Sequence, residues 1–142
     1  MNIDTLVQGR GPVFTIVADA SLQDAAQELS TRRVGALVAV DAAGVVVGVL
    51  SERDIIRHLG QTGSAALDLK VSDAMTKDVI TIRRDASIDQ ALGCMTDRRI
   101  RHLPVIEGGR LVAIVSIGDL VKQKIAAAEA ETEAMKAYIL AG

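Results

Sequence analysis

The chain has 142 residues with an apolar share of 49%, a length that suits one domain able to bury about 70% of its unfolded surface. Sixteen Lys and Arg against eighteen Asp and Glu leave it nearly neutral, which argues against broad electrostatic capture of nucleic acid or an anionic membrane. One cysteine, Cys94, excludes an intrachain disulfide and multi-cysteine metal patterns, and only Phe14 and Tyr138 are aromatic, so the core must be aliphatic.

The opening stretch MNIDTLVQGRGP carries no apolar signal core, and no run approaches 18 apolar residues, so a soluble, cytoplasmic protein is expected. A short β-branched run at 13–16 leads into Asp-Ala-Ser, and Ser21 with Asp24 has capping-box spacing at the head of an amphipathic helix. That helix is predicted to run to about Arg33 and to bury Leu22, Ala25, Ala26 and Leu29. Strands follow at 36–40 and 45–50, joined by the turn Asp41-Ala42-Ala43-Gly44. Ser51-Glu52-Arg53-Asp54 then opens a helix that stops at Gly60. Residues 60–68 read as a small-residue linker, and 71–75 as a short apolar turn. The second half repeats the order: a run at 79–82, Ser87 with Gln90 as the next cap, and a helix to about Arg99 burying Ile88, Ala91, Leu92 and Met95. Strands at 102–106 and 110–115 flank Glu107-Gly108-Gly109, and Ser116-Ile117-Gly118-Asp119 opens the last helix. Unlike its counterpart, this helix continues without a breaker. Along it Val121, Ile125, Ala128, Thr132, Met135 and Ile139 step by 4, 3, 4, 3 and 4, the seam of a helix that packs lengthwise on a neighbour.

The two halves are copies. Residues 13–35 align without gaps on 79–101, with nine of 23 pairs identical, and after a one-residue slip in a turn 45–59 continue on 111–124. A period of about 66 residues is too long for solenoid repeats, which recur every 20–50 residues. It predicts two β-α-β-β-α half-domains, an α/β architecture, sharing a core and a pseudo-two-fold cleft for one or two related ligands.

Ser51 with Asp54 and Ser116 with Asp119 occupy the same place in the two halves. Ser-x-x-Asp at a strand-to-helix junction suits a helix cap, and it also suits the floor of a nucleotide site. Backbone N–H groups there favour anions, while the carboxylate repels phosphate and matches paired ribose hydroxyls. Arg101 and His102 replace Gly35 and Ala36 of the first copy, which fits an asymmetric cleft with phosphate on the basic pair and room over the small one. His58 reads as solvated and Cys94 as an inert thiol. No phosphate loop, metal cluster or nucleophile–base set is present.

With the duplicated halves, the two Ser-x-x-Asp junctions, the MTKDVITI stretch at 75–82 and RRIRHLPV at 98–105, the chain resembles a cystathionine-β-synthase (CBS) domain pair of the stand-alone bacterial type. The resemblance spans about residues 8 to 124. It implies an α/β (α+β) fold of tandem CBS domains about a pseudo-two-fold axis: domain 1 at 8–62, a linker with a short helix at 63–74, domain 2 at 75–125 and a helical extension at 126–142. It also implies two clefts for adenosine-type ligands, and dimers. Carried over residue by residue, Asp54 and Asp119 would hold the riboses with Ser51 and Ser116 beside them, and Arg53 belongs to the same junction. Asp119 would work with Val13, Phe14, Gly35 and Ala36, and Asp54 with Thr76, Lys77, Val79 and Ile80. Arg101 and His102 match the basic pair that reaches phosphates in the family's AMP-sensing kinase subunit. The family often places an aromatic residue or Pro in these clefts, where this chain offers only Phe14.

The expectation is a non-enzymatic sensor of an adenine nucleotide (AMP, NAD(H) or ATP class), with no obligatory cofactor or metal, acting as a homodimer on an unknown regulated protein. The alternatives are an oligomerisation scaffold without a physiological nucleotide, and a nucleic-acid-associated regulator using Arg83, Arg84, Arg98, Arg99 and Arg101. Near-neutral charge and scarce aromatics weigh against the last.

Overall fold

The computed structural model describes residues 2–11 and 13–141. In chain order the elements are α1 (Ile3–Val7), β1 (Thr15–Val17), α2 (Leu22–Arg32), β2 (Ala36–Val40), β3 (Val46–Ser51) and α3 (Glu52–Thr62). A 3-10 helix (Gly63–Asp68) and α4 (Val71–Ala74) follow, then β4 (Ile82–Arg83), α5 (Ile88–Arg98), β5 (His102–Glu107), β6 (Arg110–Ser116) and α6 (Ile117–Ala141). The chain divides into two units, one of Pro12–Ile80 and the other of Met1–Gly11 with Thr81–Gly142. Each holds one β-α-β-β-α repeat, a mixed α/β arrangement with a three-stranded sheet.

In the first unit β1 pairs parallel with β2, and β2 pairs antiparallel with β3. The Ser21 hydroxyl accepts the Asp24 N–H at 3.0 Å and starts α2, whose Leu22, Ala25 and Leu29 pack on Ile16, Leu37, Ala39 and Leu50 of the sheet. Ala26 is only half-buried at the edge of this cluster. The parallel ladder begins at Thr15, opposite Val38, so the strand expected at 13–16 is shifted: residues ahead of Thr15 have no β2 partner. For the same reason β4 is confined to Ile82 and Arg83, opposite Val105 and Ile106. Both repeat helices end one residue early, with Arg33 (φ 55°) and Arg99 (φ 54°) in the left-handed conformation. That conformation breaks the helix and is unfavourable for a residue with a Cβ by roughly 1–2 kcal/mol.

The segment expected as a linker is a packed part of the first unit. α3 runs past Gly60 to Thr62, and the 3-10 helix lies against α3 and α2. Leu22 N–H donates to Leu69 O at 2.8 Å, Val71 N–H to Ala20 O at 2.8 Å and Ser72 N–H to Ala18 O at 3.0 Å. Val71 is fully buried among the core residues. Small residues allow the close approach, and Ala66, Leu69 and Val71 supply the apolar contact that holds it.

The second unit repeats the sheet as β4-β5-β6, with Ile88, Ala91 and Met95 of α5 buried and Leu92 half-buried. The N-terminal residues join it: Ile3 is buried, its N–H donates to Ala86 O at 2.8 Å, and Asp4 N–H donates to Arg84 O at 2.9 Å. α6 has 25 residues, about 37 Å of helix, and Leu120 is its one buried residue among those described. Among the described residues no helix is long and apolar enough to cross a membrane.

Candidate functional site

The two Ser-x-x-Asp junctions form the same local structure. At the end of β3, Ser51 N–H and Oγ donate to Asp54 Oδ2 at 2.9 and 3.1 Å, and Asp54 N–H donates back to Ser51 Oγ at 3.3 Å. At the end of β6, Ser116 N–H donates to Asp119 Oδ2 at 2.9 Å and Asp119 N–H to Ser116 Oγ at 3.1 Å. Both are reciprocal capping boxes, so the capping reading holds in each half. It also fixes each carboxylate inside the first turn of its helix, at the carboxyl end of a strand.

The charge environments differ. The Asp54 side chain is 9% exposed, and its Oδ1 is met by Arg57, one turn along α3. Asp119 is more open, with its side chain 35% exposed, and Oδ2 lies 3.1 Å from Arg10 Nη2. The same guanidinium donates through Nη1 to Ile114 O at 2.9 Å. Burial pushes the Asp119 carboxyl up, but the Ser116 backbone N–H and the Arg10 guanidinium outweigh it, and its pKa lies below the ordinary Asp value. Asp119 is therefore a carboxylate at neutral pH.

In the first unit several site residues gather around the end of β3. Ala36 pairs with Ser51, and Glu52 N–H donates to Gly35 O at 3.0 Å. On the strand's other side Thr76 pairs antiparallel with Val49, through Val49 N–H to Thr76 O at 3.1 Å and Thr76 N–H to Val49 O at 2.9 Å. A Cβ at Gly48 would come within 2.7 Å of Met75 Cγ and 3.0 Å of Thr76 O, so the absent side chain lets this segment lie against β3. Lys77 and Arg53 are exposed, Val79 and Ile80 half-buried, and Val79 N–H turns back to Lys77 O at 2.9 Å. Phe14 packs on the unit's own core, and its ring lies 4.5 Å under the Arg32 guanidinium. Val13 is half-buried.

In the second unit His102 pairs with Ser116 across β5 and β6, and Ile117 N–H donates to Arg101 O at 2.8 Å. Arg101 and His102 thus flank the Asp119 junction as Gly35 and Ala36 flank the Asp54 junction. The small pair expected to serve Asp119, together with Val13 and Phe14, belongs to the first unit. Arg10 and Arg57 are the two neighbours of the carboxylates that the sequence reading did not select. The signal for Arg10 in the sequence is its position alone, 66 residues before Thr76.

Two arginines of the basic group are engaged elsewhere. Arg84 meets Asp4 and lies 3.0 Å from Glu107 Oε2, and hydrogen bonding to those carboxylates raises its pKa. Arg83 lies 3.1 Å from Asp85. Among the described residues no group of three or more His, Cys, Asp or Glu side chains is placed to hold a metal ion.

Two copies of one sheet-and-helix unit, each with a capped carboxylate at its strand-to-helix junction, define a tandem-repeat module. The CBS domain family's sequence profile matches residues 9–61 and 71–125, and the chain belongs to that family as a domain pair. It is 34% identical over 128 residues to the mitochondrial CBS domain-containing protein CBSX3 of Arabidopsis thaliana, an alignment covering 87% of this chain and 62% of that protein's length. The CBS-domain containing protein ATU1752 of Agrobacterium tumefaciens superposes with a TM-score of 0.83 at 41% identity, covering 87% of this chain and 92% of that one. The CBS domain pair of protein MJ0100, solved in complex with 5-methylthioadenosine and S-adenosyl-L-methionine, superposes with a TM-score of 0.78 at 26% identity, covering 89% and 97%. CBS domain pairs are regulatory, ligand-binding modules.

Proposed function

We propose that this protein is a non-enzymatic, cytoplasmic sensor that binds an adenine nucleotide of the AMP, NAD(H) or ATP class and acts as a homodimer on a regulated protein. The repeats at 8–62 and 75–125 carry the binding, with 126–142 as an extension. The observation that carries the reading is the duplicated carboxylate, held by its own capping serine at the end of β3 and again at the end of β6. A carboxylate fixed there accepts hydrogen bonds from vicinal ribose hydroxyls and repels phosphate. Phosphate is then directed to Arg101 and His102, which flank one junction and have small counterparts at the other. The adenosyl ligands of the MJ0100 pair support the ligand class. The nucleic-acid alternative is weakened by the engagement of Arg83 and Arg84 with acidic neighbours.

Calorimetric titration with AMP, NADH and S-adenosylmethionine tests the assignment. Asp54→Ala and Asp119→Ala each remove one binding event, or weaken it roughly ten- to hundredfold, because a hydrogen bond to a charged group contributes about 1.5–3 kcal/mol. Circular dichroism confirms that each variant folds. Unchanged affinity in both folded variants would reduce the junctions to helix caps and leave the scaffold reading standing.

A further inference from the structure

We propose that α6 associates with α6 of a second copy as a parallel, in-register two-stranded coiled coil. The inference rests on the homodimer reading and adds its geometry. Leu120 is buried, and Gln123 and Ala127 are half-buried, so one helix face is turned to its own unit. The seam of Val121, Ile125, Ala128, Thr132, Met135 and Ile139 lies on another face. Its larger members are open, with Ile125 54%, Met135 61% and Ile139 68% exposed. In proteins most helical stability comes from packing an amphipathic face rather than from propensity, and this seam has no cover within its own chain among the described residues.

The charges beside the seam select the partner and its direction. With Ile125, Thr132 and Ile139 at a positions and Val121, Ala128 and Met135 at d, the e positions hold Lys122, Glu129 and Lys136. The g positions hold Lys124, Glu131 and Tyr138. In a parallel, in-register pair each g residue meets the e residue five positions further along the other helix. Glu131 then meets the second copy's Lys136, and Lys124 meets its Glu129. Both contacts are attractive, and symmetry forms each of them twice. The antiparallel pairing that aligns the whole seam sets Glu129 on Glu129, Glu131 on Glu131 and Lys122 on Lys136, all repulsive. Lys124 is held 2.6 Å from Asp89 of its own unit, whereas Lys136 has only a looser, exposed contact of 3.6 Å with Glu133 one turn back on its own helix, the kind of pair that contributes little. Glu131 with Lys136 is therefore the dominant discriminating pair. Thr132 fits the seam because its hydroxyl already donates to Ala128 O at 3.0 Å, leaving no unpaired donor to bury.

Disulfide trapping and sedimentation of the full chain decide the matter. In a Cys94→Ser background, Ala128→Cys and Met135→Cys should each link two chains through the same residue under mild oxidation. An antiparallel pair can do so at no more than one of these sites. Without added cysteines, Glu131→Lys should weaken dimerisation about tenfold, Lys136→Glu should act similarly, and combining them should restore it. The two residues are five apart and do not face each other within one helix, so rescue reports contact between chains. A dimer that links at neither site, or at one only, and ignores the charge reversals overturns the coiled coil and leaves the homodimer reading intact. A chain that sediments as a monomer at tens of micromolar overturns both.

Discussion

A carboxylate that caps its own helix cannot swing away from the junction, so its neighbours decide what else it can do. Asp54 is buried and tied to Arg57 on the same helix, whereas Asp119 is partly open and tied to Arg10 from the N-terminal segment. The depressed pKa of Asp119 has a definite consequence for pH. Its stabilising contribution is fully present above the unfolded-state value, near pH 4, and is lost as pH falls through the lower folded-state value. The difference in urea midpoint between the wild type and Asp119→Asn should therefore be largest at pH 6–7 and shrink as pH falls below about 4. Solvent screening at a half-open site keeps the effect modest. A difference that is constant across this range would mean that the carboxylate charge does no structural work. Arg10 was missed in the sequence because the repeat sets a guanidinium against the hydroxyl of Thr76, and the flanking residues share little identity.

At the scale of elements, the helices and antiparallel strand pairs were legible because each carries a local signal. Ser21 and Ser87 mark the starts of α2 and α5, and their apolar spacing marks the buried faces. The starts of β1 and β4 were not legible, since the parallel ladder with β2 or β5 fixes them and that partner lies elsewhere in the chain. The packing of residues 63–74 was hidden for a related reason. A 3-10 helix of small residues has no amphipathic period, and residues 69–72 behind it are tied to the first unit partly by backbone hydrogen bonds that any sequence can make. Gly48 shows how such a segment still leaves a mark. Replacing it with Ala would press a methyl group against Met75 and the Thr76 carbonyl. Met75 can rotate aside, but the carbonyl is held by Val49 N–H at 3.1 Å. Gly48→Ala should cost about 1–3 kcal/mol, as overpacking does, and should speed hydrogen exchange at Val49 and Thr76 in particular. If exchange there is unaltered, the 75–80 segment is not anchored through β3.

On the scale of the whole molecule, each unit carries its own buried side chains and its own junction. Leu22, Leu37 and Leu50 are fully buried in one, and Met95, Leu103 and Leu120 in the other, each side chain contributing about 1.5–3 kcal/mol. No part of that account needs a ligand, so a thermal response to nucleotide separates a sensor from a scaffold. A ligand that binds only the folded state at a hundred times its Kd stabilises by about 2.7 kcal/mol per site. For a chain of this length that raises Tm by roughly 8 °C. Scanning calorimetry with AMP or NADH should show the full shift in the wild type, a smaller one in Asp54→Ala or Asp119→Ala, and none in the double variant. A shift that survives in the double variant would place the ligand away from both junctions. If no adenosyl compound moves the transition of the wild type, the nucleotide reading fails, and the exposed seam of α6 becomes the working surface.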